Sequence, residues 1–220
     1  MPPPPSAPSG GGKKTALIIG AVAVVAAIGV GAYFAFGPGG DVAPYKIALP
    51  KTLLGGEYTK QEGKGSDEEK SLANDKDAKA MGITDGKSVG GRYLNGQKAP
   101  LGVAGIYGKV SDPQGAVDKT FLEMEQKQQR SSGAKVESPP ATEYSPSGFD
   151  GAVMKCKAVK VTLSIAGTSM TSTASTCMWG DSSAIGYVSM PTPRGGQPIP
   201  LEQLAEKTAK IRDEVRQEIK

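Results

Sequence analysis

Residues 153–190 read VMKCKAVKVTLSIAGTSMTSTASTCMWGDSSAIGYVSM, and their pattern decides the fold. Val159, Val161, Leu163 and Ile165 alternate with Ala158, Lys160, Thr162 and Ser164. A period of two sorts these side chains onto the two faces of a half-buried antiparallel strand. Ala166-Gly167 turns that strand and Thr168–Trp179 returns beside it. Gly180-Asp181-Ser182-Ser183 makes a second turn into Ala184–Met190. The prediction is a three-stranded meander.

The chain has two cysteines, Cys156 and Cys177. Cys156 lies ten residues before Ala166 and Cys177 ten residues after Gly167. A two-residue turn therefore sets them opposite each other. A disulfide there closes a loop of about 22 residues, a gain of ~3 kcal/mol in the loop-entropy estimate. Two buried thiols or a redox pair are the alternatives, but a CxxC redox motif is absent. The pair is read as a structural disulfide, which requires an oxidising compartment.

Downstream, Pro191–Pro200 is a proline-rich loop, and Leu201 to Lys220 has helical periodicity. Leu201, Leu204, Thr208, Ile211, Val215 and Ile219 mark one face. Packing of that stripe on the sheet is one reading; a partner-binding helix is the other.

Upstream, Val89–Leu94 and Leu101–Val110 flank Asn95-Gly96, a strong hairpin signal that Pro100 lengthens. The glycines of Leu101–Val110 point to close packing against a neighbour. Ser111-Asp112-Pro113 starts a helix that presents Val117, Phe121 and Met124 and fades near Arg130. Ser66 and Glu69 fit a capping box for a charged helix reaching about Met81. Tyr45–Leu49 is a plausible first strand, Leu53 to Gly65 a loop, and Ser138 to Gly148 another loop.

Residues 15–36 read TALIIGAVAVVAAIGVGAYFAF without a charge. About 20 apolar residues cross a ~30 Å hydrocarbon layer. Lys13 and Lys14 flank the run on its N-terminal side and GPGGD follows it. The positive-inside bias puts the tail in the cytoplasm and the rest outside. The run is longer than a cleaved signal's apolar region, and no clear cleavage site follows it, so it is read as an uncleaved anchor. Ala23, Ala27, Gly31 and Ala35 form a small-residue ladder, which a helix this rich in Ala and Gly also produces by composition. MPPPPSAPSGGG is a low-complexity tail.

The segment CMWGDSSAIG, Cys177 to Gly186, resembles one in uncharacterised actinobacterial single-pass membrane-anchored proteins. There a second cysteine precedes a Trp-Ala-Asp or Trp-Gly-Asp turn, and a C-terminal helix similar to 201–219 follows, here with Ala205, Arg212 and Val215. The resemblance extends to YKIALPKTLLGG at 45–56. Gly180 stands where Ala is expected. The resemblance implies an extracytoplasmic domain and no particular chemistry.

The 220 residues contain no histidine. That excludes Ser-His-Asp and Cys-His catalysis within the chain, and zinc sites that need imidazole. Net charge is +4, and beyond Lys13 and Lys14 basic and acidic residues nearly balance. No basic stripe of the kind that binds nucleic acid is present. Ser132-Gly-Ala-Lys135 matches SxxK but lacks the companion Ser-x-Asn and Lys-Thr-Gly elements. Gly102, Gly105 and Gly108 do not form a dinucleotide fingerprint. Glu57, Glu62, Asp67, Glu68 and Glu69 lie among lysines and read as a solvated face. Asp181 is a candidate to pair with a cation or to cap its own turn. Trp179 is a candidate binding anchor or a core residue over the disulfide.

The expectation is therefore an α+β domain over 45–220, an antiparallel sheet packed with two or three helices. Residues 1–14 form a disordered cytoplasmic tail, 15–36 a transmembrane helix and 37–44 a linker. The expected function is non-catalytic binding of a protein, envelope component or small ligand, with lipid contacted by the anchor and no cofactor. The alternative is a histidine-independent hydrolase using carboxylates or a Ser/Lys pair.

Overall fold

The computed structural model describes residues 42–63, 68–132, 135–165, 168–193 and 195–219. The expected tail, anchor helix and small-residue ladder lie outside the described residues, as do most of the linker, Ser66 and the Ala166-Gly167 turn. Among the described residues, no helix is long and apolar enough to cross a membrane.

The meander forms in the register that the cysteines require. β9 (Val153–Ile165) and β10 (Thr168–Asp181) pair antiparallel, with Ile165 opposite Thr168 and Cys156 opposite Cys177. The two sulfurs are bonded at 2.02 Å and both residues are fully buried. β11 (Ala184–Pro191) follows a tight turn and pairs with β10, Trp179 opposite Gly186. β6 (Pro100–Val110) pairs with the far edge of β11, and β5 (Ile83–Asn95) with β6. The Asn95 turn is long, as Pro100 suggests: the Asn95 amide donates to the Ala99 carbonyl.

Short strands extend both edges. β2 (Thr52–Leu53) and β3 (Tyr58–Lys60) form a hairpin on β5, where the sequence predicts only loop. β4 (Lys70–Ser71) also lies on β5. β7 (Lys135–Glu137) and β8 (Thr142–Glu143) cover parts of the outer edge of β9. All of these belong to one ten-stranded antiparallel sheet.

Three helices cover it. α2 (Pro113–Ser132) starts as predicted, with the Asp112 carboxylate accepting from the Gly115 amide at 2.9 Å. Its Val117 and Phe121 bury against Met178, Ile185 and Val153 on one sheet face. On the same side, α1 (Lys76–Ala80) is far shorter than the predicted charged helix. Too few apolar residues precede it; a turn at Leu72–Asp75 intervenes, and the Asp75 side chain caps the single remaining turn at 2.8 Å.

α3 (Leu201–Val215) covers the other face. Leu204, Ala205, Ile211 and Val215 pack over Cys156, Cys177 and Trp179. Fully burying Leu204 and Ile211 contributes roughly 1.5–3 kcal/mol each. The helix is shorter than its periodicity predicts. It stops at Val215 because β12 (Arg216–Glu218) turns extended and pairs with β1 (Tyr45–Ile47). Ile219, counted on the stripe, is exposed.

Two glycines allow this layer to sit close. A Cβ on Gly186 would lie 2.1 Å from the Trp179 ring, and one on Gly105 would lie 2.4 Å from Ile47. Gly105 and Gly186 are cross-strand partners. They make a bare strip of sheet on which Trp179 lies flat and β1 crosses.

Replacing Cys156 and Cys177 together by Ala should lower unfolding free energy by ~3 kcal/mol. Urea denaturation followed through Trp179, the chain's only tryptophan, measures this. A loss below ~1 kcal/mol would show that the disulfide contributes little.

Candidate functional site

The two residues singled out beside the second cysteine meet in one buried cluster. Asp181 ends β10, and its side chain is fully buried. Its Oδ1 accepts from the backbone amides of Ser183 and Ala184 at 2.9 and 3.0 Å, capping the turn into β11. Its Oδ2 accepts from Arg212 Nη2 at 2.8 Å, Arg212 Nε at 3.1 Å and Tyr45 Oη at 2.7 Å. Trp179 Nε1 donates in turn to Tyr45 Oη at 3.3 Å. Both functions predicted for Asp181, cation partner and turn cap, are therefore present, one on each oxygen.

Arg212 is fully buried on α3. Its Nη1 also bonds Asp150, which in turn accepts from Arg216 Nη1 at 3.0 Å. The Arg212 guanidinium lies 5.3 Å from the Phe149 ring centroid and 5.8 Å from that of Tyr45. Burial opposes the Arg212 charge, but Tyr45 and Asp181 override that cost and hold the guanidinium protonated beyond its usual range. Burial, then the Asp181 carboxylate, push the Tyr45 phenol well above its ordinary value. Partial burial also opposes the Asp150 charge, yet Arg212 and Arg216 hold its carboxyl below the usual range.

The buried polar side chains of Asp181, Tyr45, Trp179 and Arg212 are bonded within the cluster. Five donors surround the Asp181 carboxylate, and Tyr45 both donates and accepts. The arrangement clamps β1, the β10–β11 turn, the Phe149–Asp150 loop and α3 together. Trp179 lies in the core over the disulfide and serves as no surface anchor.

The open concave surfaces lie elsewhere. A cleft of ≈ 260 Å³ opens between α2 and the sheet, with Phe121, Met124, Val159, Val161, Thr176 and Ser189 among its walls. Lys157 stands in it, nearly buried, ion-paired with Glu125 and 4.5 Å from the Phe121 ring centroid. Glu125 also accepts from Ser138 Oγ at 2.7 Å. Burial would raise the Glu125 carboxyl, but Lys157 and Ser138 hold it below its usual value.

A second cleft of ≈ 480 Å³ continues outward along the β9–β10 arm. Val161, Leu163, Met170 and Thr171 form one side, and Thr192, Pro193 and Gly196 the other. Met170 is among the most exposed large apolar side chains.

The remaining sequence candidates do not assemble into a site. Lys135 of the SxxK match lies on β7, exposed and 3.0 Å from Glu137. Gly102, Gly105 and Gly108 lie along β6, with Gly105 beneath Ile47. Glu57 pairs with Lys207, and Glu69 with Lys87. Among the described residues, no group of three or more acidic or cysteine side chains is arranged to hold a metal ion.

Arg212 and Lys157 were the partners missed by pattern reading, although the sequence holds a signal for each. Leu204, Thr208 and Arg212 follow at helical i, i+4 spacing, so Arg212 lies on a buried row. Lys157 shares the strand face of Val159 and Val161. Asp150 and Glu125 carry no such signal.

Comparison with protein-family models finds no match for the chain, and comparison with curated proteins finds no similar sequence.

Changing Arg212 to Met should cost ~3–5 kcal/mol, because the Asp181 carboxylate then stays buried without its cation. The double change Arg212→Met with Asp181→Leu should recover much of that loss. Equal stabilities for the single variant and the parent in urea would refute the clamp.

The Asp150 carboxyl titrates lower in the folded state than its ordinary value of 3.8. Its stabilising share is therefore fully present above that value and disappears as pH falls below it. Unfolding midpoints between pH 5 and pH 2.5 should fall less steeply for Asp150→Asn than for the parent. Parallel curves would contradict the assignment.

Proposed function

We propose that this chain is a membrane-tethered, extracytoplasmic binding module without catalytic activity. The observation that carries this reading is how the charged groups and the clefts are distributed. The buried charges are closed on one another in the Asp181–Arg212 clamp and the Lys157–Glu125 pair. The open clefts along β9 and β10 are walled mainly by aliphatic, aromatic and hydroxyl side chains. Catalytic sites keep convergent polar groups available to a substrate; apolar clefts with a few hydroxyls suit recognition.

The buried Cys156–Cys177 disulfide supports an oxidising location, since such bonds persist outside the reducing cytosol. The anchor belongs to this proposal through the uncharged run at 15–36 and the lysines before it. So does the resemblance to single-pass actinobacterial envelope proteins. The chain's membership of that group and its orientation across a bilayer are part of the same reading.

A Ser/Lys hydrolase is the second reading, and the first cleft is its best location. Lys157, Thr176 and Ser189 line the same space there. The Lys157 ammonium is engaged by Glu125 and bonds neither hydroxyl, which disfavours a Ser/Lys dyad. The Thr176 hydroxyl is bonded to Ser189 at 3.1 Å rather than to the lysine.

The test uses the full chain in intact cells. Gln97 is exposed on the β5–β6 turn, and a cysteine there gives one free thiol beside the disulfide. A membrane-impermeant maleimide should label Gln97→Cys before lysis. Labelling only after lysis would place the domain in the cytoplasm and reverse the topology.

A further inference from the structure

The arm formed by the outer halves of β9 and β10 carries an unfinished sheet edge. β10 pairs with β11 only from Ala174 to Asp181. One more bond, from the Thr192 amide to the Thr173 carbonyl at 2.8 Å, continues that ladder before the chain turns away at Pro193. In an antiparallel ladder, backbone groups of alternate residues point to the same edge. Thr173 faces the β11 side, so Ser169 and Thr171 face it too. Among the described residues no strand pairs with them there. Their amides and carbonyls form a short open template.

Native sheets commonly blunt such edges with charge, proline or a covering strand. The opposite side of the arm follows that rule: β7 covers Lys160 to Thr162 of β9 and brings Lys135 and Glu137 with it. The β10 side does not. The run from Val161 to Gly180 contains no charged residue, in a chain where 22% of residues are charged.

The cleft beside this edge supplies the second half of a site. Val161, Leu163 and Met170 give it an apolar floor, and Thr192, Pro193, Gly195 and Gly196 give it an outer wall. A strand laid against Thr171 would place every second side chain over that floor. The alternate side chains would fall on the opposite face, which displays Ser169, Thr171 and Thr173. Thr162 and Thr171 share a hydrogen bond of 3.1 Å on that face, and Ser164 and Ser169 one of 2.9 Å.

We propose that the open edge of β10 at Ser169–Thr171 binds an extended, uncharged peptide segment as an added strand, with apolar side chains alternating with small hydroxyl ones. Backbone hydrogen bonds supply the attachment and the apolar floor sets the alternation, as in other strand-addition modes. The charges bordering the arm, Lys135, Glu137 and Lys160, are already paired with one another at 3.0 and 3.2 Å, so a charged segment would lose hydration without gaining an ion pair. A second copy of the same edge fits poorly in the antiparallel register centred on Thr171. Its own Thr192 already occupies the bonding groups of Thr173 that would have to meet Ser169. A segment without such a following strand meets no obstruction. The first described residue, Val42, donates to Ser182 Oγ at 3.1 Å, at the end of β10 opposite to Ser169.

This deepens the binding-module reading and rests on it for biological sense. The assay below needs no particular membrane topology, so its failure and a failed labelling experiment are separately visible. Full-length chain in detergent micelles is titrated into a fluorescein-labelled hexapeptide of alternating valine and threonine, read by anisotropy. Saturable binding is expected. It should weaken at least tenfold for the fully N-methylated hexapeptide, for an alternating Lys/Glu hexapeptide, and for the Thr171→Pro protein. The N-methylated peptide tests the claim without altering the protein, so a poorly folded variant does not decide it. Equal binding of the parent and N-methylated peptides overturns the proposal, as does absence of binding. A concentration-dependent dimer abolished by Thr171→Pro assigns the edge to a second copy and also overturns it.

Discussion

The structure is organised around one carboxylate and one guanidinium that are both fully buried. Removing two such charges from solvent costs several kcal/mol each, and their attraction offsets this only when every remaining donor and acceptor is satisfied. Here that condition is met by parts far apart in sequence. The turn after β10 supplies two amides, β1 the Tyr45 hydroxyl, α3 the Arg212 side chain, and the loop before β9 the Asp150 carboxylate. Displacing any one segment leaves a buried ion or dipole without a partner. The pair therefore selects a single arrangement of the α3 face, whatever its net contribution to stability.

The rest of the fold follows from covering a wide antiparallel sheet on both sides. One core lies between the sheet and α3 with the β1–β12 ribbon, the other between the sheet and α2 with α1. The disulfide joins β9 to β10 beneath α3, so the hairpin is held covalently near its base while its outer half carries only partly buried or exposed side chains. That division separates a rigid base from an arm whose side chains are only half buried.

Much of this was legible in the residues. The alternation at 158–165 and the spacing of Cys156 and Cys177 specify register because a one-residue slip would turn every side chain to the wrong face. The capped start of α2 and the Asn95-Gly96 turn are local signals with local causes. The misread segments depend on distant partners. Residues 216–218 continue a good helical pattern, yet Tyr45, Lys46 and Ile47 offer them a ladder, and tertiary pairing overrides propensity. The β2–β3 hairpin is similar. Glu214 accepts from the Leu54 amide at 2.7 Å and the Gly55 amide at 3.3 Å, a brace from 160 residues away for the nearer bond. The candidate site divides in the same way. Asp181 and Trp179 announce themselves in a compact motif, whereas Asp150 is an ordinary loop aspartate until α3 brings Arg212 and β12 brings Arg216 to it.

The β1–β12 ribbon brings the two limits of the folded domain side by side, with Tyr45 opposite Glu218 and the Ile219 amide on the Pro44 carbonyl at 3.0 Å. Closely spaced ends of this kind suit circular permutation. A short splice from residue 219 to residue 42 would retain the ladder, and new termini opened at the exposed Gln97 turn would fall between paired strands. Tension applied across residues 42 and 219 would load the three ribbon pairs together with the Val42–Ser182 bond, making this corner the domain's mechanical fuse.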